Sequence, residues 1–119
     1  MILKVIIIDK EKVNYSMPIE RKLAAIMFTD IAGYTEQMSK DEDKAFALIQ
    51  KKRELLLPLI EQYEGKLIKE MGDGTLTRYF KADNAIDCAS SFQAKTDSEL
   101  NVRAGIHTGE VIVDNEDVF

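Results

Sequence analysis

Two short strand-like segments, KLIKEM (66–71) and TLTRYF (75–80), are joined by only Gly72-Asp73-Gly74. Glycine reaches the positive φ values that tight turns demand, so this reads as a hairpin whose strands lie antiparallel and adjacent. Upstream, LAAIMF (23–28) is a continuous apolar run of the kind shown by a strand covered on both faces. Between that run and the hairpin, Phe46, Ile49, Leu56, Ile60 and Tyr63 recur at helical steps, with one longer gap filled by Lys52 and Arg53. Ser39 and Glu42 form the S-x-x-E pattern of a capping box at the start of this helix, and Gly65 suits the position just past its end. Pro58 lies inside the helix; its missing hydrogen bond costs about 3 kcal/mol, and a kink rather than a break is expected.

Beyond the hairpin, Asp83 is expected to cap a second helix running through Lys95, with Ile86, Cys88, Ala89 and Phe92 facing inward. LNVRAGIH (100–107) reads as a fourth strand and EVIVD (110–114) as a fifth. The order β-α-β-β-α-β, with a trailing strand, is that of a ferredoxin-like split βαβ sheet. The expected class is therefore α+β, a mainly antiparallel sheet with its helices on one face. A chain of 119 residues holds one such domain. Residues 1–16, strand-like ILKVIIID and then polar KEKVNYS, read as an accessory extension ahead of a unit spanning 17–119.

Hydrophobic residues make up 45% and charged residues 31%, the balance of a globular chain rather than a disordered or membrane one. No apolar run approaches the roughly 20 residues a bilayer span needs. The start MILKVIIIDK has no basic leader and no small-residue cleavage site, so a signal peptide is not expected. Cys88 is the one cysteine, which excludes an intrachain disulfide and fits a reducing cytoplasm. A net charge of -5 without a Lys/Arg cluster argues against a nucleic-acid partner. An anionic ligand would need a local device instead, such as a metal ion or a helix N-terminus.

The stretch FTDIAGYT (28–35) ends the first apolar run on Asp30 and turns at once through Gly33. Taken alone it is as easily an ordinary strand-to-helix corner, and Gly72-Asp73-Gly74 alone is more often only a turn. Topology changes the weighing. In a split βαβ sheet the first strand lies antiparallel beside the third, so the third starts where the first ends. Asp30 and Asp73 then share one sheet edge, about 5 Å apart at the backbone. Two carboxylates at 4 Å repel by roughly 4 kcal/mol at an effective dielectric of 20, so a cation or a proton is expected there. A hard divalent ion answers the repulsion: Mg²⁺ takes one or two carboxylates plus phosphate oxygens, and two ions about 3.5–4 Å apart clamp an in-line displacement. Gly33 lets the backbone around it, Ile31, Ala32, Gly33, Tyr34 and Thr35, approach a triphosphate closely.

FTDIAGYT, then LIKEMGDGTLTRYF, then VRAGIHTGEVIV resemble, in order and spacing, the class III nucleotidyl cyclase catalytic domain, from Arg21 onward. The resemblance implies a ferredoxin-like fold, in agreement with the pattern above. It implies that Asp30 and Asp73 bind two Mg²⁺ or Mn²⁺ ions, with the backbone carbonyl of Ile31 as a further ligand. One ion would help remove the ribose 3′-hydroxyl proton and the other steady the departing pyrophosphate. It also makes Lys69 the purine-reading lysine and Asp117, in EDVF, its acidic partner. A lysine donor and an aspartate acceptor complement N1 and N6 of adenine. Guanine reverses both roles, and each unsatisfied buried group costs about 1–3 kcal/mol.

The implied activity is that of an adenylate cyclase, ATP to cyclic AMP and pyrophosphate, in a homodimer or with another cyclase domain. Metal ligands come from one chain and base-reading residues from the other. The family continues after the Asp117 position into G-D-x-V-N-x-A-x-R, whose asparagine and arginine this sequence does not contain. The chain by itself is therefore expected to be inactive or weak, and a nucleotide- and metal-binding module without catalysis is the alternative. His107, on a strand leading away from the carboxylates, is expected to be structural. Cys88, Met27 and Met71 are expected to pack in the interior.

Overall fold

The structure, a computed structural model, describes residues 20–114 and 117–118, with side chains over 21–112. Among these residues the elements run β1 (Glu20–Ile31), α1 (Tyr34–Lys40), α2 (Glu42–Gln62), β2 (Lys66–Met71), β3 (Gly74–Tyr79), α3 (Ala82–Lys95), β4 (Val102–Asp114) and β5 (Asp117–Val118). The sheet order is β2-β3-β1-β4-β5, and each neighbouring pair is antiparallel. β3 lies between β1 and β2, which α2 connects; β1 lies between β3 and β4, which α3 connects. That is the split βαβ arrangement, so the α+β ferredoxin-like architecture stands.

Strand alternation sorts the side chains of β1. Ala25, Met27 and Ile31 enter a core with Leu56, Leu59 and Ile60 of α2, Cys88 and Phe92 of α3, Tyr79 of β3 and Val102 of β4. Ala24 and Ile26 point to the other face, beside Val111 and Leu76. Met27 and Cys88 are buried in the core as expected, and Met71 is half-buried. No helix among the described residues is long and apolar enough to cross a membrane.

Several local expectations are corrected. α2 starts at Glu42 with Asp41 as its cap, the Asp41 side chain accepting from Lys44 N at 3.1 Å. Ser39 instead belongs to a separate short helix, α1, and donates to Glu36 O at 2.8 Å. The inward stripe of α2 runs through Ala45, Leu48, Lys52, Leu56 and Leu59, which leaves Phe46 52% exposed. α3 likewise turns Ala85, Cys88, Ala89 and Phe92 inward and leaves Ile86 outside. Its cap position is Lys81, with Asp83 in the first turn. α2 passes through Pro58 without a break.

After α2 the left-handed residue is Glu64, at φ 59, not Gly65. Gly65 serves another purpose: a Cβ there would overlap the ring of Tyr79, so the chain can pass that ring only without a side chain. The separate strands read at 100–107 and 110–114 are one strand, because β4 pairs with β1 continuously from Ile31↔Val102 to Glu20↔Val113. That ladder overrides the turn tendency of Thr108-Gly109, and a two-residue β5 follows. The extension read at 1–16 lies outside the described residues.

Candidate active site

β1 and β3 meet in the register Thr29↔Thr75, so the end of β1 lies beside the hairpin turn. The loop between Met71 and Gly74 is Gly72-Asp73, with Gly72 at φ 59. Asp73 reaches back across the edge: its Oδ2 accepts from Ile31 N at 3.0 Å. Asp30, one residue earlier, is on the sheet face away from the helices, opposite Arg103 in the β1–β4 register. The two aspartates thus share one edge, as the topology required.

Together with Ile31, Arg103 and the segment Gly33-Tyr34-Thr35-Glu36, they wall an open cleft of about 370 Å³. Gly33 makes the corner, at φ 73, immediately before α1. Ala32 does not line the cleft; its amide donates to Asn101 O at 2.7 Å. The amide of Ile31 is held by Asp73. Of the five backbone positions expected to approach a phosphate, Gly33, Tyr34 and Thr35 therefore keep amides with no intrahelical acceptor.

Two cations that sequence reasoning left aside complete the electrostatics. Arg103 grips Asp30 with two bonds of 2.7 Å, and this pairing raises the guanidinium's pKa. Lys52, projecting from α2 into the core, is 2% exposed. Burial pushes its ammonium down to about 8, while the charges of Asp73, Asp30 and Glu70 pull the other way. The carboxylate pair is thus balanced by the chain's own cations, and the repulsion argument by itself does not require a metal. Arg103 was hidden among alternating strand residues. Lys52 was visible as a charge in the apolar stripe of a helix, a position where a lysine has to find partners.

Among the described residues no group of three or more His, Cys, Asp or Glu is gathered for a metal. Two carboxylates at one cleft suit a hard divalent ion that leaves positions for water or phosphate oxygens. Lys69 is exposed on β2, opposite Leu76. Asp117 begins β5, with its backbone opposite Asp114, and its side chain lies outside the described part. β3, β1 and β4 separate the two strands. A base held by both would have to lie across the sheet face. His107 is exposed, opposite Ile26, down the sheet from Asp30.

The fold recurs in known proteins. The chain is 32% identical to "Putative adenylate cyclase 3" of Rhizobium meliloti (strain 1021), over 85% of its own length and 19% of that protein's. It is 28% identical to the serine/threonine-protein kinase pkn2 of Myxococcus xanthus, over 79% of its length and 12% of that protein's. The chain thus spans less than a fifth of either curated relative. Among solved structures, it superimposes with a TM-score of 0.68 on an adenylate/guanylate cyclase/hydrolase from Silicibacter pomeroyi, at 32% identity, covering 85% of this chain and 64% of that one. The adenylyl cyclase CyaB from P. aeruginosa shares the fold, with a TM-score of 0.66 at 19% identity, over 82% of this chain and 61% of that one. No protein-family profile matches the chain. With the Asp30 corner, the Gly72-Asp73-Gly74 hairpin and the split βαβ sheet all in place, the chain is similar in sequence and fold to class III adenylyl/guanylyl cyclase catalytic domains.

Proposed function

We propose that this domain converts ATP to 3′,5′-cyclic AMP and pyrophosphate, with two Mg²⁺ or Mn²⁺ ions held by Asp30, Asp73 and the Ile31 carbonyl. The observation that carries the reading is the convergence on one cleft of Asp30, from the end of β1, and Asp73, from the turn between β2 and β3. When bound, such ions neutralise a triphosphate and make a hydroxyl easier to ionise. The chain's own part is positional. Asp73 is oriented by the Ile31 amide, which ties the hairpin turn to the end of β1. Gly33, Tyr34 and Thr35 offer backbone amides at the same cleft to phosphate oxygens.

Adenine is the proposed base, read by Lys69 and Asp117. The partner proposed is a second cyclase domain, and the setting is the cytoplasm. The sheet face away from the helices carries both Lys69 and the Asp30–Arg103 pair, which supports a partner closing over that face. The bidentate Arg103–Asp30 pair favours a second reading, a module that binds nucleotide without chemistry, because it occupies both oxygens of one proposed metal ligand. Cyclic AMP formation from Mn²⁺-ATP, detected by mass, with Asp73→Ala as the blank, separates the two. Metal-dependent product above the blank supports the cyclase. ATP binding that needs both aspartates but yields no product supports the module.

A further inference from the structure

Lys52 ends its side chain in a cluster of three oxygens. Its Nζ donates to Thr29 O at 3.0 Å, to Asp73 O at 2.5 Å and to Thr75 Oγ1 at 2.9 Å. An ammonium has three protons, so its donor capacity is used in full. The acceptors bracket the two aspartates. Thr29 is the residue before Asp30, Asp73 is itself one of the pair, and Thr75 is the register partner of Thr29. One side chain from α2 therefore binds the last step of β1 to the hairpin turn from the helix side, while Asp30 projects from the opposite face.

We propose that Lys52 is a positioning residue of the two-aspartate site: by holding the carbonyls of Thr29 and Asp73 and the hydroxyl of Thr75, it sets the spacing of the Asp30 and Asp73 carboxylates for a divalent cation. This rests on the reading of those aspartates as cation ligands. Coulomb's law and positioning predict opposite signs for removal of Lys52. Deleting a buried cation beside two carboxylates tightens a divalent ion if charge alone matters. Releasing the backbone on which they stand weakens it.

The test is Mn²⁺ binding to the 119-residue chain, read from the paramagnetic resonance signal of free Mn²⁺. It is made well below each variant's melting midpoint, where lost stability alone does not move Kd. Lys52→Met is expected to raise the Kd for Mn²⁺ about tenfold, the low end of what removing a supporting partner of a metal ligand costs. An unchanged or lower Kd overturns the proposal. Should Lys52→Met fail to fold, Thr75→Val decides: it removes one of the three acceptors at nearly constant shape. Binding weakened several-fold supports the positioning role, and unchanged binding refutes it. Asp73→Asn, measured alongside, distinguishes the two layers. If it too leaves Kd unchanged, the cation reading itself falls, and the role of Lys52 with it. If it weakens Mn²⁺ while the Lys52 and Thr75 variants do not, the Lys52 assignment alone is wrong.

Discussion

Arg103 holds Asp30 in a two-pronged grip, Nε to Oδ1 and Nη2 to Oδ2, each at 2.7 Å. The guanidinium is the more exposed member of the pair, its side chain 69% accessible against 21% for Asp30. A divalent ion on Asp30 has to displace this grip or share the carboxylate with it. Arg103→Ala is therefore expected to tighten Mn²⁺ binding in the absence of nucleotide by a few-fold, an effect that shrinks as salt screens the exposed charge. Mn²⁺ titrations at low and high ionic strength check both the sign and the screening.

Asp73 has two separable tasks, which two substitutions pull apart. Asp73→Asn keeps an oxygen for the Ile31 amide but loses the charge; Asp73→Ala loses both. Both variants are expected to abolish the Mn²⁺-dependent thermal stabilisation by ATP. Only the alanine variant should also lose about 1 kcal/mol of intrinsic stability, the usual contribution of one hydrogen bond. Urea unfolding without ligand measures the difference.

The depressed pKa of Lys52 has a sign that a stability profile can read. In the unfolded chain this lysine titrates near its ordinary 10.5, and in the fold near 8, so between those values the unfolded state binds more protons. Stability then rises with pH across that window. The group's contribution is fullest above pH 10.5 and is lost as pH falls through about 8. The difference in unfolding free energy between the parent and Lys52→Met isolates this term. It should climb from pH 8 to 10.5 and be flat below pH 7; a difference that falls across the window contradicts the shift.

Gly65→Ala tests the close passage at the end of α2. The new Cβ would overlap the Tyr79 ring, which is fully buried and anchored by its hydroxyl on Cys88 Sγ at 3.2 Å. The ring has nowhere to retreat, and overpacking of this kind costs about 1–3 kcal/mol. A urea midpoint shift of that size, with an unchanged m-value, is the expected result.

Lys69→Glu tests the base assignment in an active cyclase assembly. Replacing the donor by an acceptor should reduce the preference for ATP over GTP about tenfold or more, since one mismatched buried polar contact costs about 1–3 kcal/mol. Competition between the two nucleotides in one reaction reads the ratio directly; an unmoved ratio removes Lys69 from base reading.

Much of this protein was legible because its signals are local. Gly72-Asp73-Gly74 can hardly be anything but a turn, LAAIMF hardly anything but a buried strand, and the order of patterns implied the split βαβ sheet that brings Asp30 and Asp73 to one edge. Where local signals competed, the weaker reading sometimes won. Ser39 and Glu42 matched a capping box, yet Asp41 satisfied the Lys44 amide and left Ser39 to an earlier helix. Thr108-Gly109 resembled a break between strands, yet the long ladder with β1 carried β4 straight through it.

The sequence by itself determined the class of the fold and the shared edge of the two aspartates, because hydrophobic period and turn chemistry are written residue by residue. Only the tertiary structure decided what surrounds that edge. Arg103 meets Asp30 across seventy-three positions of chain, and Lys52 meets Thr29 and Thr75 across twenty-three. Such contacts depend on strand register and on which way a helix is rolled, quantities that the packing of the whole core settles at once.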